Sequence, residues 1–200
     1  RGFEVEGLDI SAEMIRLARE LDLGRVIVIC PEGPYVKLAE TIVAHAEKLT
    51  AMQIAQDAPD TLLPRTIDLS AQWYMDALAD ARRTLPVDTT RGTVLIGFSQ
   101  GGFFAHVLMT RHPEMFSHVV SICASMYAAG GVVERYPAVV PFPVKVLVAH
   151  GTTDEVVAFQ TGELIHSQLD RAGVVHQWLP FEGGHWPTRP VLDAIRALVR

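Results

Sequence analysis

The chain has 200 residues, of which 49% are apolar and 20% charged, with a formal net charge of −6. That composition fits one globular domain with a sizeable buried core, and the acidic balance argues against nucleic acid as a partner, because no basic stripe is present to displace phosphate counterions. Two cysteines, Cys30 and Cys123, are too few for a disulfide framework.

The first 24 residues read as a strand over 3–8 and a helix capped by Ser11, with Met14, Leu17, Ala18 and Leu21 facing a core and Gly24 stopping the helix. Further on, short apolar runs at 25–30, 51–55, 93–98, 118–123, 144–150 and 174–181 alternate with amphipathic stretches. Nearly continuous apolar runs suit strands buried on both faces, as in a parallel sheet. Cys30 and Cys123 each end such a run and read as buried thiols. Between the strands, Leu38, Ala39, Ile42, Val43 and Ala46 make one helical face. Met75, Leu78 and Leu85 make part of a second, and Leu164, Ile165 and Leu169 a third. Val191, Leu192, Ile195, Leu198 and Val199 close the chain at helical spacing. Alternating β and α segments predict a three-layer α/β fold, a mostly parallel central sheet flanked by helices with right-handed crossovers. Residues 126–143 are rich in Gly and Pro, read as a loop or small flap, and leave no room for a large cap domain. No apolar run reaches membrane-spanning length and no basic-then-apolar signal opens the chain. A reducing cytoplasm is therefore the expected location.

Gly97-Phe98-Ser99-Gln100-Gly101 sits between an apolar run and a helix-like stretch. That is the context in which G-x-S-x-G forms a nucleophile elbow, a strained turn that lifts the serine hydroxyl clear of the sheet. Small residues two before and two after Ser99 are expected to prevent collisions in the turn. A nucleophilic serine needs a base, and the base needs an acid to orient it. On this type of fold they follow in the order Ser, Asp/Glu, His. Asp154 follows the run at 144–150 in His150-Gly151-Thr152-Thr153-Asp154, and His185 follows the run at 174–181 in Gly183-Gly184-His185. Each separation accommodates one strand-helix repeat, so the three loops are expected to meet at one rim. Asp154 also suits the N-cap of a helix near 157–172. Among eight histidines, His150 is the rival base, but the chain order assigns it a structural role.

These motifs resemble the α/β-hydrolase superfamily, and within it the phospholipase/carboxylesterase family that includes acyl-protein thioesterases. The resemblance covers residues 25–200 and implies ester or thioester hydrolysis with neither metal nor organic cofactor. Members usually carry H-G-x-G after an early strand, supplying an oxyanion-hole amide. Here the corresponding segment is Cys30-Pro31-Glu32-Gly33-Pro34-Tyr35, and proline has no N–H to give. The first oxyanion donor is expected at the Gln100 backbone, the second at Gly33 or Tyr35. The odd loop also keeps open a catalytically silent, hydrolase-like binding protein. Separately, Gly7-Leu8-Asp9-Ile10-Ser11 is similar to a ribose-binding motif of class I S-adenosylmethionine methyltransferases, but only six residues precede Gly7, too few for the Gly-rich turn such a site needs.

The expected reaction is attack by Ser99 on an acyl carbonyl, with His185 as base and Asp154 fixing its tautomer. Phe98, Met126, Tyr127 and Trp186 are the expected pocket residues, an aromatic rim suited to short- and medium-chain esters. A thioesterase or lysophospholipase with the same triad is the alternative within the hydrolases. Edge strands of such a sheet leave a homodimer open.

Overall fold

The computed structural model describes residues 35–36, 49–50, 62–85 and 92–199. The strands expected at 25–30 and 51–55, the helix face from Leu38 to Ala46, Cys30, Gly33 and the N-terminal strand-helix segment with Asp9 lie outside the described residues. The described residues belong to two compact units. One contains strands β1 (Tyr35–Val36) and β2 (Leu49–Thr50), an antiparallel pair in which Tyr35 faces Thr50, and helix α1 (Leu62–Thr84). Ile67, Ser70 and Ala71 of α1 are buried, so its most buried face lies one to two turns before the expected Met75 and Leu78, which are only partly covered.

The second unit is a four-stranded parallel sheet with its strands in chain order: β3 (Thr93–Phe98), β4 (Phe116–Ile122), β5 (Lys145–Gly151) and β6 (His176–Phe181). Helix α2 (Gln100–Arg111) joins β3 to β4, and α4 (Phe159–Ala172) joins β5 to β6. Between β4 and β5 lies the short helix α3 (Val132–Arg135), flanked by single 3-10 turns at Ala128–Gly130 and Tyr136–Val139. Right-handed crossovers that always step the same way put these connections on one face, and α2 and α4 both touch the turn at Tyr136–Val139. The last helix, α5 (Arg189–Val199), packs on β4, β5 and β6. Val119, Val120, Ser121 and Ile122 are all fully buried although successive side chains point to opposite faces. Both faces of the sheet are therefore covered, which places α5 as the second helical layer.

Several boundaries depart from the sequence pattern for identifiable reasons. Strand β6 starts at His176, not Val174, because Gly173 (φ 76°) ends α4 in a left-handed cap. The Gly173 amide bonds the Asp170 carbonyl and the Val174 amide bonds the Leu169 carbonyl, the paired bonds of a Schellman motif. Leu164 is 48% exposed, whereas Ile165 and Leu169 are buried with Gly162; the apolar face of α4 is narrower than its leucines suggest. Residues 126–143 are mainly short helical turns rather than a loop, held down by buried Val132, Tyr136 and Val139. The Tyr136 hydroxyl lies 3.2 Å from His106 Nδ1, inside the core. No helix among the described residues is long and apolar enough to cross a membrane.

Candidate active site

Ser99 stands between β3 and α2 with φ 55° and ψ −121°. Positive φ is costly for a residue with a Cβ, so the surroundings must hold it. Its amide donates to the Ile122 carbonyl at the end of β4 (2.9 Å), and its carbonyl accepts from Gly102 (3.0 Å) and Ser125 (3.3 Å). The flanking glycines are not equivalent. A Cβ on Gly97 would lie 2.2 Å from the Gly101 carbonyl oxygen, and one on Gly102 2.6 Å from the Ala124 Cβ. A Cβ on Gly101 would meet nothing within 4 Å. The steric need expected two residues after the serine therefore falls three after it, on Gly102, where the elbow helix presses on the segment leaving β4.

Asp154 follows β5. Its Oδ1 accepts from the Val156 amide (2.8 Å) and the Val157 amide (2.9 Å), and its Oδ2 accepts from His185 Nδ1 at 2.8 Å. It is not the N-cap of α4; Ala158 holds that position, without a side-chain cap. The carboxylate is spent instead on the two amides of the turn before the helix. Its side chain is fully buried. Burial alone would raise its pKa, but the His185 bond and the Val157 and Val156 amides outweigh that and hold the carboxyl below its ordinary value.

His185 sits in the loop between β6 and α5 with its side chain 21% exposed. Its Nε2 lies 3.0 Å from Ser99 Oγ. With Nδ1–H donating to Asp154, Nε2 carries the lone pair that accepts the Ser99 hydroxyl. The Asp154 and His185 loops are stitched together: the Thr152 amide donates to the Phe181 carbonyl (2.9 Å) and the Thr153 amide to the Gly183 carbonyl (3.0 Å). Gly151 leaves room for this crossing, since a Cβ there would lie 2.1 Å from the Gly184 oxygen. All three groups stand at the carboxyl ends of β3, β5 and β6, so the parallel direction of the strands gathers them at one rim.

Around them, the Phe98 ring packs on His185 (4.9 Å between centroids) and edge-on against Trp186 (5.1 Å). Tyr127 packs edge-on against Phe103 of α2 (4.9 Å), and Met126, beside it, is half-buried. Gln100 is the first residue of α2, where an amide has no acceptor within the helix. Tyr35 lies in β1, in the other compact unit.

Three further residues support the site: His150, to which the chain order assigns a structural role, Cys123, read as a buried thiol, and Ser125. His150 is fully buried; its Nε2–H donates to the Val157 carbonyl (2.9 Å) and stands 3.4 Å from Asp154 Oδ2. Its ring lies over Gly162, where a Cβ would approach Nδ1 to 2.6 Å. His150 thus braces the acid turn, and the H-G-x-x-D spacing was the available signal. Cys123 leaves β4 at φ 45° with its Sγ 4.0 Å from the Gly184 oxygen. Burial pushes its thiol up to about 12, so it stays protonated. Cys123, His150 and Asp154 offer ligand atoms within 4.8 Å of one another, but the His150 Nε2–H and both Asp154 oxygens are already committed to hydrogen bonds, a poor donor set for a cation. Ser125, whose amide bonds the Ser99 carbonyl, carries no sequence signal at all.

A sequence model of the family described as Serine hydrolase (FSH1) matches residues 74–189, more than half of the chain. Among solved structures, SOBER1 from Arabidopsis thaliana is similar at 19% identity and a TM-score of 0.54, over 68% of this chain and 64% of that one. Esterase PE8 is similar at 26% identity and a TM-score of 0.53, over 68% and 64%. The S-formylglutathione hydrolase FrmB from Staphylococcus aureus is similar at 15% identity and a TM-score of 0.57, over 72% and 66%. The fold is that of the α/β-hydrolases. The chain spans 64% of the length of the SOBER1 and PE8 chains it matches. No curated protein matches the sequence.

Proposed function

The chain belongs to the Serine hydrolase (FSH1) family, and from that premise we propose that it is a serine carboxylesterase whose catalytic groups are Ser99, His185 and Asp154. One observation carries this reading: a single imidazole, His185, lies 3.0 Å from a serine hydroxyl and 2.8 Å from a carboxylate. Ser99 attacks the acyl carbonyl as His185 Nε2 takes its proton. His185 then protonates the leaving alkoxide, and Asp154 keeps Nδ1 protonated and stabilises the imidazolium. Water attacks the acyl-enzyme with His185 again as base. The Gln100 amide, at the start of α2, is the oxyanion donor that the elbow itself supplies.

The proposed substrates are short- and medium-chain esters. The aromatic group Phe98, Trp186 and Tyr127 supports an apolar acyl or aryl binding surface, and the longest excursion from the strand-helix repeat of 92–199 is the compact set of turns between β4 and β5. The likeness to esterase PE8 supports ester chemistry.

A fluorophosphonate probe tests the assignment. It should label the chain once, at Ser99, and a folded Ser99→Ala chain should remain unlabelled. Folded wild-type protein that resists the probe would instead favour a binding protein. A p-nitrophenyl ester series run beside acyl thioesters should give its highest kcat/KM on short or medium esters; a thioester optimum would move the assignment to thioesterase.

A further inference from the structure

A second convergence of imidazole and carboxylate lies at the other end of β6. His166 is on α4, Asp170 is one turn further along, and His176 opens β6. His166 Nδ1 lies 2.8 Å from His176 Nε2. The Asp170 carboxylate reaches to 3.6 Å from His166 Nε2 and 3.9 Å from His176 Nε2. We propose that His166, Asp170 and His176 form a binding site for a borderline divalent cation, Zn²⁺ or Ni²⁺, which ties α4 to β6.

Second-partner bonding favours a metal site over a chance cluster. His176 is nearly fully buried, and its Nδ1 lies 2.8 Å from the Val174 carbonyl. A carbonyl only accepts, so Nδ1 carries the hydrogen and Nε2 carries the lone pair. A histidine ligand is typically fixed in this way, with its other ring nitrogen donating to a backbone carbonyl. The lone pair points at His166, whose ring is itself held by stacking on Trp178, with centroids 5.5 Å apart and planes 6° apart. With no cation, His166 Nδ1–H fills the gap by donating to His176. On binding, that hydrogen passes to His166 Nε2, the ring stays neutral, and Nδ1, His176 Nε2 and an Asp170 oxygen bond the cation. Two nitrogens on one Zn²⁺ stand about 3.3 Å apart, so the rings open by about 0.5 Å. His166 is 34% exposed and Asp170 64% exposed, which gives both the freedom to move and leaves the remaining positions to water. Two imidazoles and one carboxylate suit Zn²⁺ or Ni²⁺ rather than Mg²⁺ or Ca²⁺.

The role is a structural staple, not catalysis. His176 is at the amino end of β6, whereas His185 follows its carboxyl end, so the two sites occupy opposite rims of the sheet.

The test is calorimetric titration of the untagged, chelator-dialysed full chain with Zn²⁺, and with Ni²⁺ followed by quenching of Trp178. One equivalent should bind, and excess Mg²⁺ should not compete. His166→Gln changes a partly exposed side chain, Asp170→Asn an exposed one, and both leave the buried His176 in place, so both should fold; each should weaken binding by about tenfold or more, with phosphonate labelling of Ser99 unchanged. Absence of saturable binding to the folded wild-type chain overturns the proposal. So does binding of undiminished affinity in both variants.

Discussion

The two ends of strand β6 carry the same chemical types, imidazole and carboxylate, in different surroundings. Beyond the carboxyl end, the Asp154 side chain is fully buried and takes N–H donors from His185, Val156 and Val157. At the amino end, Asp170 is 64% exposed and stands 3.6 Å or more from either ring. Burial with backbone donors makes a rigid orienter that holds one tautomer. Exposure leaves an adaptable group able to close on a cation. For the two proposed roles, residue type alone does not separate a relay from a chelate; what encloses the carboxylate does.

The most severe way to break this contrast is to neutralise each carboxylate in turn. Asp154→Asn should cut esterase kcat by about 10⁴-fold, as expected when the base loses its orienting partner. Asp170→Asn should leave kcat and, without metal, the stability within about 0.5 kcal/mol of wild type. Steady-state kinetics and denaturant melts of the two variants read this directly, and an equal loss in both would erase the distinction.

A smaller contrast lies within the elbow. Gly97→Ala drives a Cβ against the Gly101 carbonyl and should destabilise the chain by about 3 kcal/mol or more. Gly101→Ala meets nothing and should be neutral or gain up to about 1 kcal/mol from helix propensity. Chemical denaturation of both tests whether the elbow needs a glycine at 97 but not at 101.

The smallest expected effect concerns another buried imidazole. His106 is fully buried, and burial lowers its pKa from 6.5 to about 4. The unfolded chain takes up its proton as pH falls through 6.5, while the folded chain does so only near 4. Stability is therefore full above 6.5 and declines between 6.5 and 4, by at most about 3 kcal/mol. Melting temperatures at pH 7 and pH 5 should differ less in His106→Phe than in wild type. An equal difference would assign the pH sensitivity to other groups.

The convergence of the three candidate residues was legible in the sequence because it is set by topology. Where parallel strands alternate with helices, residues just past the strand ends converge on one rim, and Ser99, Asp154 and His185 each follow an apolar run. The limits of β3 were legible because Gly92 precedes it and the elbow follows it. The supporting contacts were not, because they depend on approach distances between segments far apart in sequence. Gly102 against Ala124 and Gly151 under Gly184 are packing facts with no local pattern. The double role of Asp154 was half visible: its position suggested a cap, but its carboxylate serves the Val156 and Val157 amides, one turn too early. The pairing of His166 with His176 was hidden because it joins a helix to a strand across a Schellman turn.

The central claim is that His185, oriented by Asp154, makes Ser99 the nucleophile. It is tested most directly by rapid-quench mass spectrometry of the chain mixed with a short p-nitrophenyl ester. The acyl group should appear on the peptide containing Ser99 within the first turnover, and Ser99→Ala should show neither acyl adduct nor turnover. Acyl transfer to another residue, such as Cys123, or hydrolysis by Ser99→Ala at the wild-type rate would contradict the account.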